Sequence, residues 1–215
     1  MDKYIKTLKN KEEQFNDLST LSTEAEDFSK YNSLKIDTTD WKTFTIGNLF
    51  NVEIDGYINT SEEDGDVPVI SLSFKNNGVC MHIKETDRYT KYQGNTITCA
   101  GLVEGLKAFY QPDDYYVKDG LRICIPKFEN NAYISSFICS VINMNSYLFS
   151  YGRKASGKRF LNICLKLPVL KDKNNCFIKD ATCKYHKDGY IPDFNYMEDF
   201  IKSLPYSDKL RDCLN

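Results

Sequence analysis

From Trp41 onward the apolar residues arrive in short runs, each closed by a turn-forming cluster, and that punctuation confines this part of the chain to a β-rich fold. Residues 41–44, 67–72, 96–100, 108–110 and 121–125 are rich in β-branched, aromatic and aliphatic side chains, which suit a pleated, half-buried surface. Between them stand Asp55 with Gly56, Asp64 with Gly65, Asn76 and Asn77 with Gly78, Gln93 with Gly94 and Asn95, and Asp119 with Gly120. Gly, Asn and Asp accept the left-handed backbone that tight turns demand, so each cluster marks a turn between strands. Residues 133–149 have helical length instead, with Ile134, Phe137, Ile138, Val141 and Ile142 on one face. Residues 161–169 return to a strand closed by Pro168, and 192–204 form a second short helix, with Asp193 near its start and Pro205 after its end. The expected fold is α+β, a twisted β-rich core with flanking helices.

The first 38 residues have a different texture. They are polar and rich in Lys, Glu, Asp and Ser, with Tyr4, Ile5, Leu8, Phe15, Leu18 and Leu21 recurring at helical spacing. One or two amphipathic helices are expected there, and Asp37, Thr38, Thr39 and Asp40 form a turn cluster at the entry to the next unit. The organisation that follows is an N-terminal helical arm over 1–38, a β-rich domain over 39–191 and a C-terminal helical segment over 192–215.

Composition narrows the class. The 215 residues are 41% hydrophobic and 27% charged, which suits one ordinary globular core and excludes a low-complexity polymer. The formal net charge is −2, whereas a free-standing duplex binder is usually basic because phosphate neutralisation supplies most of its affinity. This balance argues mildly against an autonomous duplex binder and is neutral towards a reader that borrows affinity from a larger complex. Eight cysteines follow an N-terminus that is charged over residues 1–14 and lacks the apolar centre of a secretory signal. Cys99, Cys124 and Cys164 fall inside strand-like apolar runs, where a free thiol behaves as a small hydrophobe. The reading is a cytoplasmic protein with reduced thiols. No apolar run approaches the roughly 20 residues that span a bilayer, so no membrane is expected as a partner.

The order of segments carries a resemblance. Trp41, Ile46, Gly47, Leu49 and Phe50 open it, followed by Val67, Pro68, Val69, Ile70 and Ser71 with Asn76, Asn77, Gly78 and Val79. Gly94, Asn95, Thr96, Ile97 and Thr98 come next, then Gly101, Gly105, Ala108, Phe109 and Tyr110. The most specific piece is Phe149, Ser150, Tyr151, Gly152, Arg153 and Lys154, followed by Arg159, Phe160 and Leu161 and by Leu165, Lys166, Leu167, Pro168 and Val169. Pro192, Asp193, Met197 and Glu198 close it, with residues 201–207. In this order the pieces resemble the target-recognition domain of type I restriction-modification specificity subunits, and the related recognition domains of single-chain restriction-methylation enzymes. The resemblance implies a non-catalytic reader of double-stranded DNA that needs no cofactor. It implies a DNA methyltransferase (modification) subunit as partner, with a restriction subunit beyond it. Complete specificity subunits carry two recognition domains joined by long spacer helices, whereas this sequence holds one and its segment 192–215 is short. A homodimer would restore the pair and a symmetric bipartite target.

Candidate contact residues follow. Arg153, Lys154, Lys158, Arg159, Lys166 and Lys171 form a basic stretch with no acid between Ser150 and Lys171. Gly152, Ser156 and Gly157 make 151–158 a flexible loop, able to bring guanidinium forks to phosphates or base edges. Such a run is also what a solvated face looks like. The resemblance favours DNA contact here, at Tyr151, Arg153, Lys154, Ser156, Lys158 and Arg159. Lys75, Asn76 and Asn77 form a second candidate, since asparagine pairs bidentately with adenine, although turn formation explains the same residues. Gly101 to Gly105 fits neither phosphate-binding fingerprint and reads as a turn, with Lys107 and Tyr110 beyond it facing DNA.

Other chemistry finds little support. Cys176, Cys183 and His186 lack a close cysteine pair and a fourth ligand for zinc. His82 has no local partner that would make it a general base. The adjacent acids Glu62 and Glu63, and Asp113 and Asp114, read as solvated loop charge, with a base edge as the alternative partner of either pair. There is no glycine-rich S-adenosylmethionine loop, no motif that holds a flipped adenine and no nuclease-like acid cluster. Two further readings remain open: an interaction module that binds restriction-modification subunits and competes with the specificity subunit, and a fragment of a split or fused restriction-methylation enzyme.

Overall fold

The computed structural model describes residues 36–58, 61–101, 105–150, 152–205, 207 and 210, so the expected helices of the N-terminal arm lie outside the described residues. The strands of the described part form three open sheets. Strand β1 (Lys42–Thr45) leads through a single helical turn, α1 (Ile46–Leu49), into β2 (Phe50–Asp55). Strands β3 (Val67–Ile70) and β4 (Val79–Ile83) form a hairpin across a 3-10 turn, Asn76–Gly78. Then come β5 (Thr96–Ala100), β6 (Lys107–Gln111), β7 (Tyr116–Val117) and β8 (Leu121–Pro126). Helix α2 (Ala132–Met144), a second 3-10 turn Ser146–Leu148, the short helix α3 (Lys158–Leu161), β9 (Cys164–Leu167) and helix α4 (Phe194–Lys202) complete the order.

The central sheet is antiparallel in the order β2-β8-β5-β6, flanked by a two-stranded sheet β1-β9 and a three-stranded sheet β4-β3-β7. Strands β5 and β8 occupy its middle and are covered on both faces, β5 buried at every position and β8 at its first four. The pleat then divides them. Ile97, Cys99 and Cys124 face Ile134, Ile138 and Ile142 of α2, whereas Ala100, Leu121 and Ile123 face Ile70, Tyr115 and Val117 on the side of β3 and β7. The sheet is thus the middle layer of an α+β stack, with helices on one face and the smaller sheet on the other.

Helix α2 starts where its sequence supplies a cap. The Asn131 carboxamide oxygen accepts from Tyr133 N and Ile134 N, both at 3.0 Å, and its Nδ2 donates to Glu198 Oε2 at 2.8 Å, joining α2 to α4. Asn131→Ala removes the cap and that link together, and about 1–2 kcal/mol of stability is expected to go with them. Chemical denaturation measures it; a loss indistinguishable from zero would show that the cap contributes nothing. The expected helix over 133–149 stops at Met144 because its last polar side chains are engaged elsewhere. Asn143 reaches across to β6, and Ser146 Oγ accepts from Leu106 N at 3.1 Å. No helix among the described residues is long and apolar enough to cross a membrane.

Three strands, β2, β4 and β7, were not among those expected. The first two lie at sheet edges and carry polar residues at alternate positions, and β7 is only two residues long. Cys99 and Cys124 are buried as expected, but Cys164 is exposed, because it sits on the outward face of β9. Glu62 is likewise not solvated loop charge. Its side chain is 7% exposed, paired with Arg88 and accepting from Tyr89 OH at 2.6 Å.

Candidate nucleic-acid interface

Strand β6 organises the candidate residues, because it is an edge strand whose outward backbone groups need partners. Asn143 of α2 satisfies both groups of Ala108, accepting from its N–H at 2.7 Å and donating to its carbonyl at 3.2 Å. Further along, Asn77 Nδ2 donates to the Tyr110 carbonyl at 2.9 Å and to Gln111 Oε1 at 3.3 Å. Gln111 returns the contact from Nε2 to the Asn77 carbonyl at 3.1 Å, and also donates to Thr98 Oγ1 at 2.9 Å. These contacts fasten the Asn76–Gly78 turn to one end of β6.

That turn has three successive residues in the left-handed region, Asn76 at φ 48°, Asn77 at φ 51° and Gly78 at φ 83°. The conformation explains the Asn, Asn, Gly sequence, since these residues tolerate it best. The Asn77 amide is occupied in holding the turn in place. Lys75 and Asn76 are exposed beside it, with Asn76 Nδ2 making only a long bond of 3.4 Å to the Val79 carbonyl. Tyr110 is half-buried, its hydroxyl donating to Asn95 Oδ1 at 3.3 Å, and desolvation raises its pKa above the ordinary phenol value.

Lys107 marks the opposite end of β6, with its ammonium 5.8 Å from the Phe109 ring. The chain just before it packs on the Ser146–Leu148 turn, which runs on into the basic loop. Tyr151 lies outside the described residues. Ser150 and Arg153 exchange backbone hydrogen bonds of 3.4 and 2.9 Å, closing a tight turn. Ala155 is then fully buried, Gly157 turns the chain into α3 at φ 51°, and Phe160 is 1% exposed. A loop expected to be flexible is therefore pinned at two apolar points. Arg153, Lys154, Ser156, Lys158 and Arg159 stand exposed on it, and Arg159 Nη1 donates to the Lys154 carbonyl at 3.2 Å. Lys166 is exposed on β9. Lys171 is engaged by Asp40 and by Asn175 Oδ1, the latter at 2.9 Å.

The remaining candidates have structural roles. Asp114 accepts from Gly94 N at 2.9 Å, and His82 is exposed on β4. His186 packs edge-on against Phe44 and Tyr190, with Nδ1 accepting from Asp188 N at 3.0 Å. Among the described residues no three His, Cys, Asp or Glu side chains are grouped to hold a metal ion. Two residues that fasten the candidate loops and helix α2 to β6, Asn143 and Gln111, were missed in the sequence. The signal for Asn143 was a carboxamide near the end of a helix whose other residues are apolar or serine, and Gln111 gave none.

Comparison with known proteins bears on the same residues. Over 168 residues, 76% of this chain and 43% of the relative, the sequence is 25% identical to the Type II restriction enzyme BgcI specificity subunit S.BcgI of Heyndrickxia coagulans. The chain thus spans less than half the length of that curated relative. Among solved structures it is similar to the type I restriction-modification S subunit from M. genitalium, at 14% identity and a TM-score of 0.48, covering 90% of this chain and 46% of that one. It is also similar to the HsdS subunit from Thermoanaerobacter tengcongensis, at 10% identity and a TM-score of 0.48, covering 97% of this chain and 49% of that one. The profile of the type I restriction modification DNA specificity domain matches residues 38–178, a span that contains β1 to β9 and every candidate contact residue. With well over half of its length matched, the chain belongs to the type I restriction modification DNA specificity domain family.

Proposed function

We propose that the chain is a non-catalytic reader of short double-stranded DNA sequences in a restriction-modification system, directing a partner DNA methyltransferase (modification) subunit to its target. A restriction subunit would join the same complex, and a second copy of the chain would supply a second recognition domain. The observation that carries the reading is the placement of two exposed polar loops at opposite ends of one edge strand, within the family-matched span. Lys75 and Asn76 lie at the Gln111 end of β6, and the basic loop lies beyond its Lys107 end. Four residue steps at ~3.3 Å separate those ends by about 13 Å, close to the ~12 Å width of the major groove.

The roles divide by chemistry. Arg153, Lys154, Lys158 and Arg159 suit phosphate contacts that fix register, while Asn76 and Lys75 offer groups suited to base edges. Ser156 and Tyr110 would add hydroxyl groups to the contact, and Lys107 a cation at the basic-loop end of β6. Asn77 acts through the turn that it holds. The net charge of −2 fits a reader whose partner contributes much of the non-specific affinity.

Selection of bound duplexes from a randomised pool, at fixed salt, tests the reading with the chain alone and with a modification subunit. Enrichment of one short motif is expected, more strongly with the partner. Enrichment of nothing in either arm, with the partner still bound, would replace the reading with that of an interaction module.

A further inference from the structure

Arg122 is the one cation buried inside the central sheet among the described residues. It lies on β8 between Cys99 of β5 and Ile54 of β2 and is 4% exposed. Neither Nε nor Nη1 has a hydrogen-bond partner among the described residues. Its guanidinium carbon sits 4.9 Å from the centre of the Phe160 ring, a cation–π contact that offsets only part of the desolvation. A Cβ built on Gly101 would lie 3.4 Å from Nη1 and 3.8 Å from Ala155 Cβ. The guanidinium therefore stands against Gly101 and the Phe160 ring, and Ala155, the other anchor of the basic loop, packs beside the same glycine.

A charge taken from water is retained at great cost unless something compensates it. Nothing in the described surroundings carries the opposite charge. Cys99 and Cys124 lie nearest along the sheet, and the hydrogen bond with Cys99, together with burial, holds the Cys124 thiol in its neutral form. The loop that holds Ala155 and leads to Phe160 is itself basic, so its field adds to that of Arg122 instead of cancelling it. A guanidinium fork with free donors, at the foot of a cationic loop and beside a residue without a side chain, matches the needs of a tetrahedral oxyanion.

We infer that Arg122 forms the floor of an oxyanion site that takes one phosphodiester of the DNA backbone, with the loop from Arg153 to Arg159 as its rim. The inference rests on the DNA-reading function proposed above and adds to it a residue hidden from the surface. The buried charge is a strain on the free protein that the bound phosphate relieves. Arg122 is in this sense a positioning and affinity residue, contributing equally to all sequences because phosphates carry no base identity.

The test uses the full chain with Arg122→Met and Arg122→Lys. Arg122→Met is expected to melt at or above the wild-type temperature, since it removes an unpaired buried charge for a similar volume. With its modification subunit it should bind duplex about tenfold more weakly whatever the sequence, and the slope of log affinity against log salt should fall by about 1. Arg122→Lys should keep that slope and lose less affinity. Inorganic phosphate should raise the melting temperature of the wild type but not of Arg122→Met. If Arg122→Met melts far below the wild type and phosphate has no effect, Arg122 is a structural cation and the site is refuted. Unchanged slope and affinity in a folded Arg122→Met refute it equally. Should the wild type bind no duplex even with its partner, the DNA-reading function fails first. A phosphate effect abolished by Arg122→Met would then still support the oxyanion site, and its absence would remove that too.

Discussion

Replacing Arg153, Lys158 and Arg159 together with alanine is expected to weaken duplex binding on the order of 10³-fold and to lower the salt slope by about 3. Each side chain is exposed, and each suits a charge-assisted hydrogen bond worth about 1.5–3 kcal/mol. The same exposure predicts little structural damage. Arg159 donates to the Lys154 carbonyl, a bond at the surface, while the loop is held by Ala155 and Phe160, which the triple variant leaves alone. Folding stability should therefore change by less than about 1 kcal/mol. A matched control separates the position of charge from its amount. Lys84, Lys91 and Lys202 are paired with Glu63, Glu85 and Glu198 away from this loop, and their joint replacement removes the same net charge. That control should keep the salt slope of the wild type. Titrations of the complex at several salt concentrations give both slopes, and equal losses in the two triple variants would show that the loop is not the contact.

Such selectivity depends on geometry that sequence revealed only in part. The buried centre of the fold was legible, because β5 and β8 read as short runs rich in β-branched and aliphatic residues bounded by turn clusters. The edges were not. Strand β2 reads Phe, Asn, Val, Glu, Ile, Asp, which fits a solvated loop until its pairing with β8 gives the backbone a partner. At the candidate interface the residue types were visible and their duties were not. Asn77 has the same side chain whether it reads adenine or clamps a turn, and only its bonds to Tyr110 and Gln111 assign it to the turn. Arg122 was invisible for the opposite reason. Within Leu, Arg, Ile, Cys, Ile it looks like an outward residue of a strand, whereas the pleat points it at Phe160, whose position depends on a fold contact spanning 38 residues of sequence.

Phe160 is where loop and core meet, and its removal should have the largest effect on stability. The side chain is 1% exposed, belongs to the main apolar cluster and carries the guanidinium of Arg122 on its ring. Phe160→Ala leaves a cavity there, and about 3–5 kcal/mol of stability is expected to go. Against a typical total of about 5–15 kcal/mol that loss brings a domain of this kind close to unfolding. Arg122 would lose its cation–π partner in the same step, so the variant Arg122→Met in a Phe160→Ala background should recover part of the loss. Phe160→Leu, which keeps most of the apolar volume, should cost far less in stability but lose the ring contact. Urea denaturation of the four proteins measures these differences. In the folded population Phe160→Ala should also bind duplex more weakly than Phe160→Leu, because Lys158 and Arg159 occupy the same helical turn as the anchor. A Phe160→Ala protein within about 1 kcal/mol of the wild type would mean that this residue does not anchor the loop, since burial of a whole aromatic ring leaves no other way to lose it so cheaply.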